Sequence, residues 1–599
     1  MANFVIVIDS DAERRTRFIE MITPQLAPVD GLSTAQCVSG DFHAIWAAHS
    51  SAPISQIADA DGAAVIWGEA IPGKGIGRID ARQLRKLWRN PVAHVPEPLD
   101  GYHAAVVYQA DTGLVVGADL FGYFPVYYAG TPEVILVGSS PELFRYHPLF
   151  RVELDLQGLV GILLMMHSVS GRTLLRGVRR LGPGHLLIGG AGSLQEIRQY
   201  DVPCSDRYFD LPLSTHLQII DEAIDAAMTR YVSEATQHAL LLSGGLDSRM
   251  LGGYLKRKGR HDTALLTLGQ RSDVEMRCAL AVGRELGFQH HTVDPAFDEY
   301  PILAATHAKW QHGINGFNSV TPWAEQRALR ELAPRIITGF DGCLTMGGAH
   351  IARAYAREER RYSFEPVFAF GNSWGLRPAI LKSLLRPEVF SNLVEQTIQE
   401  LRAEYDAPAE RDSYRALRFA LRTRSRHHVG IVAWAFSFGA WPVLPLLDSN
   451  LMECLAGIPS ASFGDRLLQN ELVATRFPEL ATIPLDRNVT EPAPLRARFR
   501  WLLTWHLYGR HLAALHRQLH RGESRYFYRI YDVNNPGWVG VRRQAEPYRD
   551  RLAHLFNMDE LAKLLPAPET RIELDDGLSG ASGLKTLLGL MLWSKDYLG

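Results

Sequence analysis

The run Ser243-Gly244-Gly245-Leu246-Asp247-Ser248, directly behind the apolar residues 239–242, constrains this chain more than any other feature. The four apolar residues read as a short buried strand, the glycines as a tight turn, and residues from about 249 to 258 as a helix. At such a junction backbone N–H groups point outward from a helix N-terminus, and two glycines let a polyanion approach the main chain. Ser243 and Ser248 add hydroxyl donors. A carboxylate at Asp247 would repel a phosphate, so its presence points to a divalent cation, Mg²⁺, between the two. No lysine follows the glycines, which excludes a Walker loop.

At 599 residues the chain is long enough for two or more domains, each with its own core. A formal net charge of −2 and the lack of a long basic run argue against a nucleic-acid partner. The five cysteines (Cys37, Cys204, Cys278, Cys343, Cys454) are scattered and form no CxxC pair, which fits a reducing compartment and neither a disulfide framework nor a structural zinc site. The opening apolar run ends at Asp9, too short for a signal peptide, and no stretch approaches the roughly 20 apolar residues of a membrane span. The expectation is a cytoplasmic protein without a membrane partner.

Residues 4–8, 63–67, 104–108, 114–118, 126–128 and 134–137 read as short strands bounded by Gly, Asp or Pro. Around 201–213 a polar, proline-containing stretch marks a linker. After it strands and helices alternate: 239–242, a helix, 263–268, then a helix over 274–286 opened by the capping-box pattern Ser272-x-x-Glu275. Such alternation, with a phosphate loop after the first strand, implies a doubly wound parallel sheet. Beyond 350 the pattern is largely helical.

The loop resembles the S-G-G-x-D-S signature of the PP-loop ATP pyrophosphatases, and other segments align with one superfamily. Residues 119–128 (Asp-Leu-Phe-Gly-Tyr-Phe-Pro-Val-Tyr-Tyr) resemble the D-x-x-G-x-x-P-L-Y-Y hairpin of the glutamine-amidotransferase domain in class B asparagine synthetases. Residues 171–185 resemble that domain's closing segment. Pro445-Leu446-Leu447-Asp448 stands where the family has P-F-L-D, and Phe477-Pro478-Glu479-Leu480 leads to Ile483-Pro484. The resemblance implies an α/β protein in two parts. Residues 1–205 would be a degenerate, Ntn-hydrolase-like β-rich sandwich. Residues 206–599 would be a doubly wound PP-loop synthetase domain, of the adenine nucleotide α-hydrolase-like type, with a helical extension.

Departures from the family narrow the activity. Members that hydrolyse glutamine use an N-terminal cysteine nucleophile, whereas here Ala2 and Asn3 follow Met1, Cys37 lies far along the chain, and Cys204 falls in the linker. No glutaminase is expected. A Glu and an Arg before P-F-L-D are replaced by Trp441 and Val443, which disfavours a small zwitterionic substrate such as aspartate. Two groups of the superfamily lack glutaminase and draw the amine from the substrate itself: β-lactam synthetases and lasso-peptide cyclases. The tail Gly583-Leu584-Lys585-Thr586-Leu587-Leu588-Gly589-Leu590-Met591-Leu592-Trp593 resembles the cyclases.

That resemblance implies an ATP- and Mg²⁺-dependent ligase closing a macrolactam in a ribosomally made peptide. A side-chain Asp or Glu carboxylate is adenylated, and the peptide's N-terminal amine displaces AMP. The partners implied are a precursor peptide and a leader-peptide protease. Ser243, Gly244, Gly245 and Ser248 would cradle pyrophosphate, Asp247 would bind Mg²⁺, and main-chain groups at Leu241, Leu242, Leu268 and Gly339 would frame adenosine. Ungapped alignment of residues 338–344 with the family's S-G-x-G-x-D-E puts Cys343 at the second metal-binding Asp. Asp341, two residues earlier, is either the replacement ligand or a turn former beside Gly342. The family's catalytic lysine has no counterpart between Lys382 and Lys563, where Arg487 stands nearest its place, as phosphate clamp or as surface arginine. Lys585 reads as a solvated or capping lysine, or as one that reaches in to take the catalytic lysine's place. Asp273 and Glu275 read as helix capping or as contacts to the pyrophosphate. His506, His511, His516 and His520 are interleaved with Arg510, Arg517 and Arg521, which disfavours a metal site, and His427-His428 reads as a helix face. A small-molecule amide or β-lactam synthetase and a non-catalytic peptide-binding scaffold are the alternatives.

Overall fold

The computed structural model describes residues 2–73, 75–90, 95–190, 193–312, 319–347, 363–407, 412–486, 492–496, 524–574 and 578–598. Fourteen strands in the first third are β1 (Ala2–Asp9), β2 (Ser33–Ser39), β3 (Phe42–Ala48), β4 (Ile54–Asp59), β5 (Gly62–Gly68), the short pair β6 (Ile71–Pro72) and β7 (Leu99–Asp100), β8 (His103–Gln109), β9 (Gly113–Ala118), β10 (Tyr127–Gly130), β11 (Val134–Gly138), β12 (Arg179–Arg180), β13 (His185–Gly190) and β14 (Ser193–Arg198). They build two antiparallel six-stranded sheets, β12-β10-β11-β1-β3-β2 and β14-β13-β9-β8-β5-β4. The sheets face each other through Phe4, stacked on Trp67 at 4.0 Å, and Phe42, stacked on Tyr108 at 5.3 Å. Strand periodicity decides which residue goes where: Ala63, Val65 and Trp67 join the inter-sheet core, while Ala64 and Ile66 turn outward under Leu84 and Trp88.

Every strand expected in this third is present. The strands covering 33–39, 54–59 and 193–198 were not legible, because much of their surface stays in contact with water and apolar alternation is weak.

Beyond helix Leu213–Tyr231 lies a parallel sheet of β15 (His238–Leu241), β16 (Ala264–Leu268), β17 (His290–Val293), β18 (Arg335–Ile337) and β19 (Trp441–Val443), ordered β17-β16-β15-β18-β19. Helices cover both faces. Leu240, Leu265 and Ile337 pack with helices Leu246–Arg257 and Val274–Leu286, whereas Ala239, Leu266 and Ile336 pack with Leu329 and Phe436. The chain turns from β15 outward to β16 and β17, then returns to β18 on the other side, so a crevice opens at the carboxyl ends of β15 and β18.

Buried polar contacts join the sandwich to the parallel-sheet body. Arg230 bridges Asp100 and Asp448, Arg335 Nε donates to Glu69 at 2.6 Å, and the Trp441 indole donates to the Tyr102 carbonyl at 3.0 Å. Trp441 and Val443 therefore lie in the core, on strand β19. Among the described residues no helix is long and apolar enough to cross a membrane.

The expected capping box at Ser272 does not form. Asp273 occupies the cap position without a side-chain cap bond, while Ser272 and Glu275 turn to the segment after 523: the Ser272 and Ser524 hydroxyls lie 3.1 Å apart, and Glu275 accepts the Tyr526 amide at 3.0 Å. A tertiary partner has outcompeted the local cap. Lys585 is likewise neither solvated nor capping. It is fully buried in helix Leu578–Tyr597, donating to the Tyr531 carbonyl at 2.7 Å beneath the Trp538 ring, and burial holds its ammonium well below the usual lysine range.

Candidate functional site

The loop after β15 folds back on itself through its serines. The Ser243 amide donates to Ser248 Oγ at 2.9 Å, the two hydroxyls lie 3.0 Å apart, and the Gly245 amide donates to Ser243 Oγ at 3.1 Å. Gly245 then opens helix Leu246–Arg257 without a side-chain cap. The first N–H groups of that helix face the crevice end of β15 unsatisfied by any cap, where an anion is stabilised. Gly244 is demanded by packing: a β-carbon there would lie 2.8 Å from both the Glu275 carbonyl oxygen and Cys278 Cβ.

The loop after β18 closes on the same point. A β-carbon on Gly339 would lie 2.9 Å from Asp247 Cβ, and one on Gly342 would lie 2.6 Å from Asp247 Oδ1. The fold thus brings together Ser243, Gly244, Gly245, Asp247, Ser248, Gly339 and Asp341 from two strands remote in sequence. Asp247 Oδ1 accepts from Gln469 Nε2 at 2.6 Å and pairs with Arg466. Asp341 adopts a left-handed backbone (φ 59°), uncommon outside glycine, with its carboxylate buried. Oδ1 accepts from the Ser425 hydroxyl at 2.8 Å and Oδ2 from the Tyr123 hydroxyl. Burial, with the Asp247 charge adding to it, pushes the Asp341 carboxyl up to about 6 against the pull of those two hydroxyls and of Arg424.

This constellation fits a phosphate-bearing ligand: glycine backbone, hydroxyl donors and a helix N-terminus converge. Among the described residues no group of three His, Cys, Asp or Glu side chains is placed to hold a metal ion. A divalent cation here would take one or two carboxylates plus phosphate oxygens and water, the usual habit of Mg²⁺. Asp247, where the two loops meet, is a carboxylate placed for that role, and each Asp341 oxygen accepts from one hydroxyl and keeps a second lone pair.

Leu241 and Leu268 end β15 and β16 at the crevice. Leu242 has its amide on the Leu266 carbonyl at 2.8 Å and its carbonyl on the Thr267 hydroxyl at 2.7 Å. Asp273 accepts from Ser524 at 2.6 Å and pairs with Arg529 at 2.9 Å, so the Arg and Ser of a distant segment, and not a helix cap, satisfy it. His427 is buried on helix Arg426–Phe436, accepting from Arg180 at 2.6 Å, with burial and the neighbouring arginines holding it far below the usual imidazole range. Arg487, the side chain of Cys343, and His506, His511, His516 and His520 with their arginines lie outside the described residues.

Sequence reasoning missed four contributors. Arg249, fully buried, donates to the carbonyls of Leu480 (2.9 Å), Ile483 (2.7 Å) and Pro484 (2.7 Å), tying the segment before Arg487 to the glycine loop. Its signal was visible, an arginine among apolar helix residues with no acidic residue three or four positions away. Arg466, Gln469 and Ser425 carry no local signal.

The sequence family described as a glutamine amidotransferase domain matches residues 77–201. The amino-terminal part is glutamine-amidotransferase-like. The match ends where β14 gives way to the connection into helix Leu213–Tyr231. No curated protein matches the chain. Among solved structures, the glutamine phosphoribosylpyrophosphate amidotransferase from B. subtilis, complexed with ADP and GMP, is 10% identical over 49% of this chain, with a TM-score of 0.22. The chain spans 65% of that enzyme's length, under two thirds. A structure described as the allosteric regulatory enzyme of purine biosynthesis is 12% identical over 50% of this chain and 82% of its own, with a TM-score of 0.22.

Proposed function

We propose that this protein forms carbon–nitrogen bonds as an ATP-dependent, AMP-forming amide ligase related to the asparagine synthetases, and that it closes a macrolactam in a ribosomally made peptide. The observation that carries the reading is the meeting of the Ser243–Ser248 and Gly339–Gly342 loops on Asp247, at the switch point of a parallel sheet. The glutamine-amidotransferase-like domain at 77–201 supports an amide-forming activity.

A carboxylate does not react with an amine near neutral pH because oxide would have to leave. In the proposed reaction the carboxylate oxygen attacks the α-phosphorus of ATP and the bond to the β-phosphate bridging oxygen breaks, releasing pyrophosphate. The amine then attacks the acyl carbon, AMP leaves, and the amine proton passes to solvent or a nearby base. The loop amides and the Ser243 and Ser248 hydroxyls hold the departing pyrophosphate, where charge builds up, and fixed donors of this kind are worth several kcal/mol of barrier. Mg²⁺, when bound, neutralises phosphate charge beside Asp247. Arg249 holds the 480–484 segment against the loop, and Arg487, three residues on in sequence, is the proposed phosphate clamp. The tail that resembles lasso-peptide cyclases supports a peptide substrate, joined through its N-terminal amine to an internal Asp or Glu side chain, with a partner protease exposing that amine.

Incubation with ATP, Mg²⁺, the protease and the precursor peptide encoded alongside tests this. A peptide lighter by one water, with equimolar AMP and pyrophosphate, is the expected outcome. ADP as the main product overturns adenylation. Adenylation of a small amino acid with the peptide left linear transfers the activity to the small-molecule synthetases.

A further inference from the structure

Tyr123 lies inside the glutamine-amidotransferase-like stretch, yet its hydroxyl ends on Asp341, next to Asp247 in the other body. Several devices aim it there. Asp119 gathers the amides of Phe121 (3.2 Å), Tyr123 (3.0 Å) and Phe124 (2.6 Å) onto one carboxylate, curling the loop so that Tyr123 projects across the seam. Gly122 turns with φ +65°, its carbonyl held by buried Arg180 at 2.9 Å. On the facing helix, Gly430 lets the backbones close up, since a β-carbon there would lie 2.5 Å from the Tyr123 carbonyl oxygen. At the receiving end, Asp341 is left-handed and buried, a conformation that persists only where surrounding contacts over-determine it. Its carbonyl caps the turn that follows, accepting the Leu344 and Thr345 amides at 2.9 Å each.

We infer that Tyr123 is a positioning residue of the nucleotide site: the amidotransferase-like domain sets, through this one hydroxyl, the Gly339–Gly342 loop that abuts Asp247. This rests on the reading of the Ser243–Ser248 loop as the ATP site. Asp341 has two hydroxyl donors, one from each body, with Ser425 on the other oxygen. Removing the Tyr123 donor leaves a buried carboxylate oxygen unsatisfied, which frees the loop and lets Gly342 drift from Asp247.

Hydrogen exchange over residues 338–346 reads the loop without nucleotide, and calorimetry with α,β-methylene-ATP and Mg²⁺ reads the site. Tyr123→Phe is expected to speed exchange in that segment and to weaken analogue binding, each by about tenfold. Tyr102→Phe serves as control. It removes a buried hydroxyl that has no hydrogen-bond partner among the described residues, and it is expected to change neither reading. If Tyr123→Phe does not fold, Asp341→Asn reads the contact from the other end, with faster exchange expected at residues 120–125. Unchanged exchange at 338–346 overturns the inference, as does a loosened loop with unchanged analogue affinity. Wild-type protein that does not bind the analogue overturns the functional reading, and the nucleotide role of Tyr123 with it, whatever the exchange shows.

Discussion

Gly342 stands so close to Asp247 that a β-carbon on it would lie 2.6 Å from Oδ1 and 2.8 Å from Cγ. Leu446 blocks retreat, with its Cδ1 2.8 Å from the same point. Gly342→Ala must therefore push the carboxylate or the loop aside. We expect ATP–pyrophosphate exchange to fall about 10-fold to 100-fold with a stability loss of about 1–3 kcal/mol, measured by denaturant titration.

Asp247→Asn keeps the side chain's shape and its capacity to accept from Gln469 and Arg466 while removing the charge. Exchange activity is expected to drop by about 100-fold or more with an unchanged far-ultraviolet spectrum and melting temperature. Activity within a few-fold of wild type would remove Asp247 from the phosphate and metal role.

Asp448, the last residue of the Pro445–Asp448 segment, caps helix Ser449–Ala456 and shares Arg230 with Asp100. All three are buried, so Arg230→Met leaves two carboxylates facing each other without a cation. A loss of about 3–5 kcal/mol is expected in chemical denaturation, and Asp100→Asn in the same chain should recover part of it.

Glu325 is buried, and burial pushes its carboxyl up from 4.5 to about 7 against hydrogen bonds from Thr321 and Tyr526. Between those values the folded state binds the proton more tightly than the unfolded chain. Its contribution is thus complete below about pH 4.5 and is lost as pH rises through about 7. The fall amounts to about 3 kcal/mol. Unfolding free energies of Glu325→Gln measured from pH 4.5 to 8 should lack this slope.

Glutamine is not expected to be hydrolysed. The Cys37 thiol lies buried in β2, and burial pushes it up to about 11, far from the thiolate that attacks an amide. Glutamate release above an enzyme-free control, measured on the full chain, would overturn this.

The strands and helices around the glycine loop were readable because each signal there is local. Apolar residues 239–242 need a buried strand, Gly244 and Gly245 need a turn, and Asp247 needs a cation or a donor. The apolar runs at 63–67 and 104–108 were equally plain, since both faces of those strands are buried. The amidotransferase-like stretch was legible through short motifs, and residues 77–201 bear it out. The capping box at Ser272 and the solvated Lys585 failed because remote segments, Ser524–Tyr526 and Tyr531 with Trp538, bring partners that no sequence window contains.

What the sequence determined by itself is the set of elements and the chemistry each loop can offer: a phosphate-sized turn after β15, a carboxylate at its end, and a second glycine-containing loop far along the chain. Tertiary structure alone decided that Gly339 and Gly342 close on Asp247, that Asp341 answers to Tyr123 and Ser425, and that Arg249 ties down 480–484. Periodicity and turn chemistry act over a few residues and are written in sequence. Contacts between residues 218 positions apart, as Tyr123 and Asp341 are, depend on how two bodies dock, and docking is fixed by the summed burial and hydrogen bonding of the whole seam.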